Sequence, residues 1–263
     1  MDHVALRFDG YIADLALYRP DKRNAVSYQM VDELIAAVDQ INGSDARVIV
    51  LRGEGAGFCA GMDIANFQKF QGEDGKARTD RIMARSHGDA NAMQQFALCL
   101  AQARVPVIAA LQGMAFGAGF QLALGADIRI AAPDCQMSVM ELKWGLVPDM
   151  GGMVLLPRLA RADVIRRLTF TADVFDAVQM EKWGLVTELA DDPLAAARAL
   201  AEKIAGKSPS AVQAGKRLIR LSESATQAEI LLAESEEQTA LIGNKDQKET
   251  VMAFLEKRAP NFG

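Results

Sequence analysis

Residues 113–128 read Gly-Met-Ala-Phe-Gly-Ala-Gly-Phe-Gln-Leu-Ala-Leu-Gly-Ala-Asp-Ile. The apolar run 105–111 just before them reads as a buried strand. Three glycines and an alanine then lead into an apolar helix expected to start near Gly117. Small residues let another group approach the backbone closely. A helix start leaves its first N–H groups unpaired, so it can receive a negative oxygen. A second small-residue turn lies upstream, Phe58-Cys59-Ala60-Gly61-Met62-Asp63-Ile64. One N–H from each turn could grip a single oxyanion. Glycines that only let helix and strand pack tightly are the plainer alternative.

Outward from this stretch, strands and helices alternate. Residues 3–8 and 12–17 are short alternating runs around Asp9-Gly10, the pattern of a hairpin. Ser27 can cap a helix with apolar positions Val31, Leu34, Ile35, Val38 and Ile41, stopped by Gly43. Residues 47–51 read as a buried strand and 127–131 as another. The stretch 70–95 is polar and poorly periodic, with an exposed turn at Gly72-Glu73-Asp74-Gly75. A helix is expected over 76–103. After Pro157 the pattern is wholly helical apart from a break at Gly184-Leu185-Val186. Helices are expected at 193–205, 208–222, 226–243 and 245–258, and their apolar stripes need a surface to cover. Alternation of this kind gives crossover units and, by itself, a largely parallel sheet. No internal repeat or low-complexity segment stands out.

The chain of 263 residues is half hydrophobic and 6% aromatic, which suits an Ala/Leu/Val-rich α/β core. A net charge of −5 argues against a general nucleic-acid-binding surface. Any anionic ligand therefore needs a local cluster of bases. Cys59, Cys99 and Cys135 are odd in number and widely spaced. With only His3 and His87 to help, neither a disulfide framework nor a zinc site is expected. No signal peptide and no apolar stretch long enough for a membrane span is visible, so the expectation is a cytoplasmic protein without membrane partners.

Several chemistries fail on their motifs. Gly55-Ala56-Gly57-Phe58-Cys59-Ala60 formally fits a dinucleotide-binding turn, but no long helix starts there and no later strand places an acid for the ribose. A phosphate loop ending in Gly-Lys-Ser/Thr is absent, as is a Gly-x-Ser-x-Gly elbow. The remaining acid–base candidates are carboxylates. Glu141 follows Ser138-Val139-Met140, and Asp149 sits in Leu146-Val147-Pro148-Asp149-Met150-Gly151-Gly152. Apolar surroundings disfavour a carboxylate's charge and make it a better base near neutral pH. Taken singly, each has a structural reading: Glu141 as a helix-start residue, Asp149 as the cap of a helix beginning at Gly151.

Together these pieces resemble the crotonase superfamily, the enoyl-CoA hydratase/isomerase family. The likeness runs from Arg19-Pro20-Asp21-Lys22-Arg23-Asn24-Ala25 through Phe58–Ile64, residues 106–113 and Gly117-Ala118-Gly119. It continues with Gly145-Leu146-Val147-Pro148 and closes on Ala253-Phe254-Leu255-Glu256-Lys257-Arg258. The resemblance implies an α/β fold, a spiral of repeated ββα units over residues 1–195. A helical region over 196–263 would then trimerise, often into a dimer of trimers. It replaces the plain parallel sheet expected above. It further implies that the N–H groups of Met62 and Ala118 hold the thioester oxygen of an acyl-CoA. Lys22, Arg23 and Ala60 would lie near its CoA portion, with the two bases at the phosphates. Asp63 and Ile64 would lie by the adenine, and Phe254 and Lys257 would reach the CoA of a neighbouring subunit. No separate cofactor is implied, since CoA is part of the substrate.

The catalytic positions depart from the hydratase pattern. Hydratases place one glutamate two residues after the glycine turn and another at the position of Glu141; here the first is Gln121. Glutamine can hold a water but cannot take its proton. Asp149 stands where hydratases commonly have glycine. Dienoyl-CoA isomerases carry acids at the positions of both Glu141 and Asp149, and their segment between Asp63 and Pro106 is similarly long. They too, however, usually have an acid at the position of Gln121. The expectation is an enoyl- or dienoyl-CoA isomerase, with Glu141 moving a proton near the thioester, Asp149 serving the distal carbon and Gln121 orienting substrate or water. The alternative is an enoyl-CoA hydratase, with Glu141 activating water and Asp149 standing in for the missing acid. A non-catalytic CoA- or RNA-binding relative is a reading from another class. The acidic charge and the surviving carboxylates weigh against it.

Overall fold

Strands β3 (Val48–Gly53) and β4 (Val107–Leu111) organise the molecule because both of their faces are apolar. Successive side chains on a strand point to opposite faces, so a strand covered on both sides reads as a continuous apolar run. Ile49 and Leu51 of β3 and Val107, Ala109 and Leu111 of β4 enter the main core. Val48 and Val50, with Ile108 and Ala110, face a second and smaller core on the other side. The computed structural model describes residues 1–63 and 75–263.

The hairpin is present as β1 (Val4–Asp9) and β2 (Ile12–Leu17), paired antiparallel. The large sheet runs β1-β2-β3-β4-β6-β9, with β6 at Ile128–Ala131 and β9 at Glu188–Leu189, and every pair after the first is parallel. A second sheet of three strands joins β5 (Met114–Phe116), β7 (Gln136–Ser138) and β8 (Phe175–Asp176). The chain passes repeatedly from one sheet to the other: β4 to β5, then β6 to β7. An isolated bridge from Cys59 to Ala115 brings the segment after β3 onto β5 in the same way. This is the expected ββα spiral, not the plain parallel sheet that strand–helix alternation alone predicts.

Helix α1 (Tyr28–Asn42) starts where expected: the Ser27 hydroxyl accepts from the Met30 N–H at 3.1 Å. Its apolar stripe, together with α3 (Ala92–Gln102) and α4 (Ala118–Leu124), covers the main-core face. Helix α8 (Pro193–Ala205) covers the other face with Ala197 and Ala201. The boundary expected between residues 195 and 196 falls inside this helix.

The single helix expected over 76–103 is two, α2 (Gly75–Met83) and α3. Asn91 ends the first arrangement and starts the second. Its side chain accepts from the Gln94 N–H and donates to the Ile82 carbonyl, and Gln94 completes a capping box. Of the polar turn at residues 72–75, only Gly75 lies within the described residues. Pro157 does not precede the helical part but sits inside α5 (Gly152–Leu159). Helices α6 (Ala162–Thr171) and α7 (Ala177–Lys182) follow, interleaved with the two-residue strands β8 and β9. Helices α9 (Pro209–Ser222), α10 (Gln227–Leu241) and α11 (Lys245–Leu255) close the chain. Lys216 ties α9 to the core: its ammonium donates to the Val105 carbonyl at 3.0 Å and to Asp127 at 2.7 Å. No described helix is long and apolar enough to cross a membrane.

Candidate active site

Two glycine turns meet where the two sheets adjoin. The turn after β3 is fastened to β5: the Cys59 N–H donates to the Met114 carbonyl, and the Phe116 N–H donates to the Cys59 carbonyl at 3.0 Å. Gly119 lies so close that a Cβ there would fall 2.5 Å from the Cys59 Cβ, inside any allowed contact. This glycine therefore sets how near α4 comes to the upstream turn. Gly117 holds φ +49°, ψ −115°, a conformation that a side chain would strain, and turns the chain from β5 into α4. Ala118 is then the first residue of α4, a position whose N–H has no acceptor within its own helix. Gly61, at φ +97°, packs against the Phe116 carbonyl and delivers Met62 to the same neighbourhood.

The basic turn is held onto this unit. Arg19 donates to the Ala25 carbonyl at 2.6 Å and to the Asp63 carboxylate at 2.9 Å. The Arg23 carbonyl accepts from the Ala60 N–H at 3.0 Å, and Val26 exchanges backbone bonds with Gly61 and Asp63. Asn24, fully buried and left-handed, was not singled out in the sequence. Its amide donates to the Glu54 and Gly57 carbonyls at 2.9 Å each, bracing the basic turn against the glycine turn. A buried Asn beside a basic surface pair is the only local signal for it. Lys22 and Arg23 are exposed beside Ala60 and Asp63. The expectation for Ile64 lies outside the described residues.

Gln121, on α4, is buried and makes three hydrogen bonds. Its Oε1 accepts from the Met150 and Gly152 N–H groups at 3.0 Å each, and its Nε2 donates to Glu141 Oε1 at 2.7 Å. Glu141 opens a single 3₁₀ turn, Glu141–Trp144, immediately after β7. Its Oε1 also lies 3.2 Å from where a Gly117 Cβ would sit, which places the carboxylate beside the start of α4. Its Oε2 is buried without a hydrogen-bond partner. Burial is the main cause that pushes the Glu141 carboxyl above its ordinary value. The Asp149 charge pushes the same way, against its own backbone N–H, the Gln121 hydrogen bond and the Met140 backbone. Asp149 also rises, again through desolvation. Its side of the site is open to solvent, which tempers that rise. Asp149 does not cap the following helix, whose N-cap is Gly151 without a side-chain bond.

Met62, Ala118, Gln121, Glu141 and Asp149 thus fall into one neighbourhood, with Lys22, Arg23, Ala60 and Asp63 along its edge. Phe254 and Lys257 stand apart at the exposed end of α11, with Phe254 81% exposed. Among the described residues no His, Cys, Asp and Glu group could hold a metal ion.

The comparisons with known proteins agree along the whole chain. Residues 7–263 match the family model for enoyl-CoA hydratase/isomerase. The chain is 33% identical over 260 residues to the enoyl-CoA hydratase EchA19 of Mycobacterium tuberculosis, covering 96% of this chain and 93% of that one. Among solved structures, an enoyl-CoA hydratase from Bacillus anthracis matches with TM-score 0.89 at 28% identity, covering 99% and 98% of the two chains. DspI of Pseudomonas aeruginosa matches with TM-score 0.89 at 30% identity, covering 100% and 97%. The chain belongs to the enoyl-CoA hydratase/isomerase family of the crotonase superfamily.

Proposed function

We propose that this chain moves the double bond of an enoyl- or dienoyl-CoA by way of a thioester enolate. Removing a proton next to a thioester throws negative charge onto its oxygen. The N–H groups of Met62 and Ala118 are the donors assigned to that oxygen, and losing one such donor typically lowers the rate by about 10²–10³. Glu141 takes the proton through Oε2, the oxygen with no partner in the protein. Asp149 returns a proton at the distal carbon. The substrate balances, because one carbon loses a proton, another gains one and no oxygen is added; the enzyme resets when Glu141 gives up its proton and Asp149, which is open to solvent, regains one. Lys22, Arg23, Ala60, Asp63 and Ile64 bind the CoA portion. Phe254 and Lys257 do so from a neighbouring subunit in a trimer-based assembly.

The observation that carries this reading is the pairing of Glu141 with Asp149 while an amide, Gln121, fills the place of the hydratase's first glutamate. General acid–base help is worth about 10²–10⁴, so water addition served by one carboxylate fewer is expected to be slow. Hydration of a 2-enoyl-CoA remains the second reading, favoured by relatives that carry the hydratase name. The test is product analysis in ¹⁸O-labelled water with crotonyl-CoA, 3-hexenoyl-CoA and 3,5-octadienoyl-CoA. The isomerase reading expects shifted double bonds without ¹⁸O, and loss of the dienoyl shift in Asp149→Asn. Fast ¹⁸O incorporation that is indifferent to Asp149→Asn would support hydration. Binding without turnover of any substrate would support the non-catalytic reading.

A further inference from the structure

Gln121 makes three side-chain hydrogen bonds, and the direction of its amide is fixed. The Met150 and Gly152 N–H groups can only donate, so the atom facing them at 3.0 Å must be the carbonyl oxygen. The NH₂ group is therefore turned permanently to Glu141 Oε1, at 2.7 Å. A flip would set NH₂ against two N–H donors in a buried place. The turn is also shaped around this amide. A Cβ on Gly152 would lie 2.7 Å from the Gln121 oxygen and 2.8 Å from its Cγ, so the close approach depends on that glycine. Met150 is the neighbour of Asp149 in the chain. One side chain thus grips the carboxylate at one end of the reaction and the turn that carries the other.

We infer that Gln121 is a positioning residue that locks the Glu141 carboxylate and the Asp149 turn into one unit, holding Glu141 by Oε1 and leaving Oε2 without a hydrogen-bond partner. The inference rests on the reading of Glu141 as the proton acceptor. It replaces the expectation that Gln121 orients substrate or water: the amide oxygen is already used twice and one of its two donor positions once. A carboxylate at this position would set an oxygen against Glu141 Oε1, and two like charges so close cannot both ionise freely.

Two variants separate the two grips. Gln121→Glu keeps the shape and the oxygen that accepts from Met150 and Gly152, but replaces the donor to Glu141. Gln121→Met keeps the length and removes both grips. Turnover of crotonyl-CoA, 3-hexenoyl-CoA and 3,5-octadienoyl-CoA is measured across pH for both, beside Glu141→Gln as a reference. Gln121→Met is expected to lower kcat on the order of 10–10²-fold, the size of effect a misplaced reacting group has, with KM little changed. Its loss is expected to be greater for the dienoyl shift, which uses both carboxyls. In both variants the rising limb of the kcat/KM profile is expected to move to higher pH, because Glu141 loses a donor to its charged form. The larger move is expected in Gln121→Glu, which adds a like charge. A side chain that merely supports the fold would lower thermal stability and leave that limb in place. Folded variants with the wild-type kcat and limb, while Glu141→Gln is inactive, would overturn the positioning role alone. Full turnover in Glu141→Gln would instead overturn the reading of Glu141, and this inference with it.

Discussion

At the scale of the residue, Glu141 shows how a site stores reactivity as instability. One of its oxygens accepts from Gln121 and the other is buried without a partner. Desolvation raises its proton affinity, with the Asp149 charge adding to it. For activity this gives a sign: kcat/KM rises with pH as the carboxyl loses its proton. For stability the sign is opposite. A carboxyl with a raised folded-state value binds its proton more tightly when folded. Its favourable contribution is complete below the ordinary value near 4.5 and is lost as pH rises through the raised one. Glu141→Gln should therefore melt above the wild type at pH 8, with the gap shrinking at pH 4. Each ~1 kcal/mol of relieved penalty reads as roughly 2–4 °C in a chain of this size. Thermal denaturation of both proteins at the two pH values checks it. A gap that is the same at both pH values would show that the charge is not destabilised by burial.

At the scale of the element, legibility followed how local the causes were. The hairpin, α1 with its Ser27 cap, and strands β3 and β4 were readable because a cap or an apolar run lies within the element itself. The small sheet was not: β5 and β7 have three residues each and β8 two, too short for any pattern. They exist because the chain turns at Gly113 and Gly117 and crosses to a neighbour. The break between α2 and α3 escaped for a related reason, since Asn91 acts through a bond to the Ile82 carbonyl nine residues back. In the candidate site the glycine turns and both carboxylates could be picked out, and the family resemblance supplied their expected roles. What could not be read was the bonding of Gln121. Its partners are backbone N–H groups 29 and 31 residues further on, and those leave no mark on side-chain pattern.

At the scale of the molecule, the C-terminal helices leave apolar surface uncovered. Leu232 is 61% exposed, Leu255 67% and Phe254 81%, and α10 buries none of its residues. The trimer-based assembly proposed above would cover residues of this kind. If Phe254 and Lys257 serve a neighbour's CoA, sedimentation at micromolar concentration should give a particle near three times the 28.4 kDa chain, or its double. Lys257→Ala should then weaken CoA binding without unfolding the core. A single-chain species with full activity would contradict the shared site.

Proton exchange at the carbon next to the thioester reads the enolate step proposed for Glu141. Incubating 3-hexenoyl-CoA with the enzyme in deuterated water, and following deuterium at the carbon next to the thioester by mass spectrometry, reads that step whether or not product accumulates. The account predicts enzyme-dependent deuterium uptake that falls by about 10²–10⁴ in Glu141→Gln, the range general base catalysis supplies. Undiminished uptake in Glu141→Gln would contradict it.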